Sequence, residues 1–130
     1  MILIDSTIYI DWFRRRVELQ PVLEPWVRAR AVASCGVIRA EVLRGILHPL
    51  QKERLSAFFD VLEEVPTESR VWRESAELAW ELNRKGSVLR LTDVVIATCA
   101  RSVGAAVVTL DGHFSKIPGL KVFAAVPPLG

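Results

Sequence analysis

Four acidic residues, Asp5, Glu41, Asp93 and Asp111, stand where a carboxylate is poorly accommodated. Asp5 closes the apolar run 1–4, and Asp111 follows the apolar run 105–110. On a helix turning about 100° per residue, Glu41 falls in the arc of Ile38, Val42 and Gly45. Asp93 shares a face with Ile96, Ala97 and Ala100 in the same way. A carboxylate on an apolar face is costly unless it is paired or metal-bound. Each has a plainer reading alone: Asp5 as a helix cap, Glu41 as a solvated position, Asp93 as a complement to the helix dipole, Asp111 as a turn residue before Gly112. Together they point to one cluster that only folding assembles. Two carboxylates about 4 Å apart repel by about 4 kcal/mol at an effective dielectric near 20, which pushes one pKa up by roughly three units. One or two Mg²⁺ or Mn²⁺ ions reverse that repulsion. A hard divalent cation on oxygen ligands is suited to phosphodiester hydrolysis and needs no histidine as base.

Those residues must be held by regular elements. The pattern predicts a strand over 1–4, a helix over 7–16, and a second short helix opened by Gln20-Pro21 and running to about 28. A buried strand follows over 31–35, then helices over 37–46 and 49–63, the latter with Pro49 at its first position. Thr67 is placed to cap the next helix, which ends at Lys85 and Gly86. Thr92 opens another helix that stops at Gly104. A strand over 105–110, a turn over 111–114 and a strand over 120–124 complete the chain. Strands alternating with helices indicate an α/β fold, with a parallel sheet covered on both faces. Ligands of such sheets bind beyond the carboxyl ends of the strands, so Asp5 and Asp111 fall on one rim.

Size and composition narrow the classes. A chain of 130 residues without linker, repeat or low-complexity tract reads as one domain, 1–130. Charged residues at 25% exclude disorder, and hydrophobic residues at 51% leave apolar surface for a partner or a second copy. A net charge of +2 excludes a basic nucleic-acid coat, so any nucleic-acid contact must come from local arginines. Arginine outnumbers lysine 13 to 4, which suits phosphate forks and is equally the product of a GC-rich genome. Cys35 and Cys99 form no CxxC or Cys/His cluster and read as buried thiols in a reducing compartment. Asp5 inside the first apolar stretch argues against a secretory signal, and Arg101 interrupts the best apolar run before membrane length. The expected setting is cytoplasmic, with no membrane.

The chain resembles a PIN-domain ribonuclease, specifically a VapC-type toxin of toxin–antitoxin pairs. The segments that carry the resemblance are Ile2-Leu3-Ile4-Asp5-Ser6-Thr7, the run 37–45 with Glu41-Val42-Leu43-Arg44-Gly45, Leu91-Thr92-Asp93-Val94-Val95-Ile96-Ala97, and Val108-Thr109-Leu110-Asp111-Gly112-His113-Phe114. Their order and spacing match the family across residues 2–123. The resemblance implies a three-layer α/β/α sandwich around a central parallel five-stranded sheet. It implies a Mg²⁺- or Mn²⁺-dependent endoribonuclease acting on RNA, tRNA or rRNA among the plausible substrates. It implies a homodimer and a VapB-type antitoxin whose C-terminal segment covers the acidic pocket. Asp5, Glu41, Asp93 and Asp111 carry over as metal-binding and catalytic, Thr7 and Thr109 as hydroxyls behind them. Leu89-Arg90-Leu91 is more basic than the family pattern.

Other residues carry paired readings. Arg39, Arg44 and Arg90 are near the acids in sequence and suit RNA phosphates. Arg14, Arg15 and Arg16 form either a solvated last turn or an RNA contact. His113 is placed to reach the pocket mouth, and His48 reads as part of the turn before Pro49. Trp72, Ala76, Ala79 and Trp80 line one helix face, as core or as an interface. Trp12 and Trp26 flank the N-terminal helices where a partner peptide would dock. The alternative to an enzyme is a catalytically inactive PIN-like module that binds RNA or acts as a scaffold. A response-receiver or dehalogenase-type phosphoryl-transfer domain lacks the paired acid beside Asp5 and a well-placed lysine. A nucleotide-binding Rossmann domain lacks GxGxxG after the first strand.

Overall fold

The computed structural model describes residues 1–130. In chain order the elements are β1 (Ile2–Ile4), α1 (Ser6–Arg14), α2 (Leu19–Arg28), β2 (Val32–Cys35), α3 (Gly36–Leu43), α4 (Pro49–Asp60), β3 (Glu63–Val65), α5 (Ser69–Arg84), α6 (Leu91–Ser102), β4 (Ala106–Val108) and β5 (Val122–Phe123), with a 3₁₀ turn at Gly112–Lys116. The strands form one five-stranded sheet in the order β3-β2-β1-β4-β5, and every pairing is parallel. Six helices flank it, giving the three-layer α/β/α arrangement.

The strand order fixes where a ligand belongs. From β1 the sheet grows one way through β2 to β3, then resumes on the other side of β1 with β4 and β5. Adjacent strands whose connections leave in opposite directions open a crevice at their carboxyl ends. Here those strands are β1 and β4, in register at Ile4 and Val108. The residues that follow them are Asp5 and Thr109 to Asp111. The Asp5 amide continues the ladder to the Val108 carbonyl at 2.9 Å.

β1 and β2 are buried along their whole length, and their apolar side chains join one hydrophobic cluster with α1, α3, α5 and α6. Residues 93–100 of α6 are all buried, because α5 covers the helix from outside while its small residues let it approach the sheet. Ala97, Cys99 and Ala100 are completely enclosed, and Cys35 is 1% exposed, as buried thiols should be.

Several expectations are corrected. The helix expected over 49–63 stops at Asp60, and Glu63–Val65 is the edge strand β3, paired with Ala33–Cys35. Its glutamates hid it: only Val65 is buried, and Glu63 meets Arg30 at 3.2 Å. Thr67 caps nothing, since Glu68 precedes α5, and Thr92 lies one residue inside α6, whose cap position is Arg90. Residues 111–114 continue into the 3₁₀ turn rather than a simple turn, and the last strand shrinks from 120–124 to two residues. Trp12 is a core residue packed edge-on against Tyr9 at 5.9 Å, and Trp26 donates its indole N–H to the Pro127 carbonyl, so neither offers a free docking face. Conversely Trp72 and Trp80 are 50% and 57% exposed, which removes the core reading for that stripe.

Candidate active site

Asp5 occupies the position before α1, yet its carboxylate makes no capping bond to the helix. It receives the hydroxyls of Thr7 and Thr109, each at 2.8 Å and both on Oδ2. Every hydrogen bond to that carboxylate thus falls on one oxygen. Both threonine oxygens in turn accept backbone amides from the β4 turn, Thr7 from Leu110 at 3.1 Å and Thr109 from Asp111 at 3.0 Å. The first and last acidic segments are thereby locked together at the rim of β1 and β4. Asp5 is 2% exposed.

Glu41 reaches the same rim from α3, which packs against α1 and α6. Ile38 and Val42 on its face are buried, while Glu41 itself is half-buried. The Ser6 hydroxyl donates to its Oε1 at 3.2 Å. Burial holds the Glu41 carboxyl above the usual range, with Asp5 and Asp93 adding repulsion, against the opposing pull of Ser6 and Arg90. Asp93 sits in the first turn of α6 with a side chain 4% exposed. Its carboxyl is also raised, first by burial and then by Asp5 and Asp111, against the hydrogen bond and charge of Arg90. Asp111 accepts the His113 amide at 2.9 Å and so anchors the 3₁₀ turn.

Each of the four acids therefore feels at least one of the others, and none has drifted to a separate surface. No three of the histidine, cysteine, aspartate and glutamate side chains are yet arranged to hold a metal ion. The cation among them is Arg90, with Nε 3.2 Å from Asp93 Oδ2 and Nη2 3.7 Å from Asp111 Oδ2.

The other expected residues divide. Arg39 turns away from the site: it pairs with Asp60 at 2.8 Å and donates to Ser56 Oγ at 2.7 Å on α4. It is tied into the α3–α4 packing, because its helix position faces α4 and not the sheet rim, and the phosphate role expected for it falls away. Arg44 is exposed just beyond α3 and makes no ion pair within the chain. His113 stands at the mouth, its Nδ1 2.9 Å from Asp111 Oδ1. Ser6 was not foreseen as part of the site. Its signal lay in Asp5-Ser6-Thr7, where adjacent hydroxyls at a helix start project in different directions, one to Glu41 and one to Asp5.

The model of the PIN domain matches residues 2–120, nearly the whole chain. The chain belongs to the PIN-domain family. Among solved structures, this PIN chain resembles VapBC2 from Rickettsia felis bound to a DNA fragment from its promoter, at 24% identity and a TM-score of 0.78, covering 94% of this chain and 97% of that one. A toxin–antitoxin complex from Klebsiella pneumoniae matches at 25% identity and TM-score 0.73, covering 92% and 95%. Mycobacterium tuberculosis VapC20, a sarcin–ricin loop cleaving toxin, matches at 14% identity and TM-score 0.68, covering 98% and 100%. The fold is thus that of VapC-type PIN domains. No curated protein matches the chain.

The four acids offer only oxygen, the donor set that Mg²⁺ and Mn²⁺ take. Asp5 keeps Oδ1 free of protein partners, while Asp93 and Asp111 now bond a side chain that is itself a cation. The donor chemistry fits a divalent ion, while no three of these side chains now stand close enough together to hold one. No helix of the chain is long and apolar enough to cross a membrane.

Proposed function

We propose that this chain is a Mg²⁺- or Mn²⁺-dependent endoribonuclease and the toxin of a toxin–antitoxin pair. The observation that carries the reading is the double threonine clamp on Asp5 Oδ2 at the β1–β4 crevice, with Glu41, Asp93 and Asp111 around it. Asp5 and Asp93, the two most buried acids, would hold the ion, and Glu41 and Asp111 would complete its surroundings on the open side. A bound ion would supply a more acidic water and charge stabilisation for the leaving oxygen. Thr7 and Thr109 fix the orientation of Asp5, because both donate a hydroxyl to the same oxygen. Ser6 orients Glu41. Arg44 and Arg90, both exposed, would take phosphates of the RNA.

Two surfaces suit the partners. A groove of about 540 Å³ between α1, α2 and α4 is floored by Phe13, Leu19, Leu55 and Phe58, with Arg16 and Arg54 exposed beside it. Its apolar floor and basic edge match an apolar and acidic antitoxin segment, and toxin–antitoxin complexes are among the structural neighbours. The α5 stripe of Trp72, Ala76, Ala79 and Trp80 suits a homodimer. Antiparallel pairing about Ala76 would bring Trp72 of one copy level with Trp80 of the other.

Purified chain should cut RNA in Mn²⁺, lose that activity in EDTA, and lose it again in Asp5→Asn. Equal cutting by Asp5→Asn would assign the activity to a contaminant. The second reading, a catalytically inactive PIN-like RNA-binding or scaffold module, is favoured by one observation: a guanidinium, not an open gap, lies between Asp93 and Asp111. That module would bind RNA equally well with and without the metal.

A further inference from the structure

We propose that Arg90 is an internal counter-cation: it neutralises Asp93 and Asp111 in the metal-free protein, is displaced by the divalent ion, and then holds the RNA phosphate. This rests on the ribonuclease reading and adds a second state to its site. Arg90 is the residue just before α6, in an extended conformation with φ −61° and ψ 142°, so it lies outside the helix proper. It joins carboxylates from two elements, Asp93 of α6 and Asp111 of the turn after β4. Both contacts use Oδ2, an oxygen that a metal ligand set would claim. A guanidinium has only donors and stays charged at every relevant pH, so it competes with a divalent ion for those oxygens and is repelled by it.

Departure is easy. The Arg90 side chain is 69% exposed while that of Asp93 is 4% exposed, so the arginine enters from solvent and leaves little surface uncovered. Exposed ion pairs are weak, and a divalent ion brings twice the charge without a long side chain to immobilise. The released arginine remains tethered three residues before Asp93. Its planar fork then stands at the mouth, where a phosphate approaching the ion must pass.

Calorimetric titration of Mn²⁺ into the parent and Arg90→Gln, at one ionic strength, tests the competition. Arg90→Gln should bind Mn²⁺ about 3–10-fold more tightly, through loss of the one competing guanidinium. Under saturating Mn²⁺ its KM for RNA should rise about 3–10-fold, with a smaller change in kcat. Equal or weaker Mn²⁺ binding by Arg90→Gln would overturn the proposal while leaving the ribonuclease reading intact. An unchanged KM would overturn the phosphate half of it. A parent that takes up no Mn²⁺ would end both readings together.

Discussion

Thr7 and Thr109, separated by 102 residues, lie 3.2 Å apart and donate to the same oxygen of Asp5. Each hydroxyl has one proton, and each oxygen also accepts a backbone amide, from Leu110 and Asp111 respectively. Their mutual approach is therefore a contact between two donors already in use, not a hydrogen bond between them. The arrangement works only with Asp5 Oδ2 as the acceptor of both.

Thr109→Val removes one of those donors, in a side chain 3% exposed, and leaves the amide of half-buried Asp111 without its partner. Stability should fall by about 1–3 kcal/mol by denaturant titration. RNA cleavage should fall about 10–100-fold, the usual consequence of loosening a group behind a metal ligand. Thr109→Ser should recover most of both. Parental rates in Thr109→Val would mean that the clamp does not position Asp5.

Glu41 illustrates a conflict between stability and function. Its folded pKa is raised, first by burial, so the neutral form is favoured by folding. That contribution is complete below the unfolded value of about 4.3 and is lost as pH rises through the folded value. Without metal, Glu41→Gln should therefore melt above the parent at pH 7. The gap should close below about pH 4, where the parent carboxyl is neutral in both states. Cleavage should be lost in the same variant. Parallel pH–melting curves would contradict the assignment.

Metal affinity should follow the same two carboxyls in the opposite sense. An ion needs Glu41 and Asp93 deprotonated, and both titrate above the usual carboxylate range because they are buried. Mn²⁺ affinity should begin to weaken at a higher pH than unperturbed carboxylates near pH 4 would allow. A flat profile down to about pH 4 would show that neither group contacts the ion.

Arg39 and Arg44 separate structure from substrate binding. Arg39→Ala loses its bonds to Asp60 and Ser56, and should destabilise by about 0.5–1.5 kcal/mol with RNA cleavage unchanged. Arg44→Ala should leave the melting temperature alone and raise KM several-fold. The reverse pattern would relocate the RNA path to α4.

For the α5 stripe, Ala76→Cys places a thiol on the expected two-fold axis. Oxidation should link two copies through that residue, and Trp80→Ala should convert dimers to monomers by light scattering. Dimers that persist in Trp80→Ala would put the interface elsewhere.

The sequence exposed the acids because each broke an apolar pattern: Glu41 between Ile38 and Val42, Asp93 against Ile96 and Ala97. The sheet core was readable for the same reason, since β1, β2 and β4 are short apolar runs bounded by turns. β3 was hidden because an edge strand needs little apolar content, and Glu63-Glu64 continues the charge pattern of the preceding helix. Arg39 was misplaced because sequence distance from Glu41 does not reveal which side of α3 a long side chain takes. Ser6 was overlooked because its partner lies 35 residues away on another helix. Long-range pairing of that kind has no local signature.

The shared cation is tested most directly by Mn²⁺ titration of the purified parent and Asp93→Asn, followed by heat release. The parent should bind one or two ions, and Asp93→Asn should lose at least about tenfold in affinity, the loss of a buried carboxylate ligand. No uptake by the parent, or equal uptake by both proteins, would contradict the claim that these acids form one metal centre.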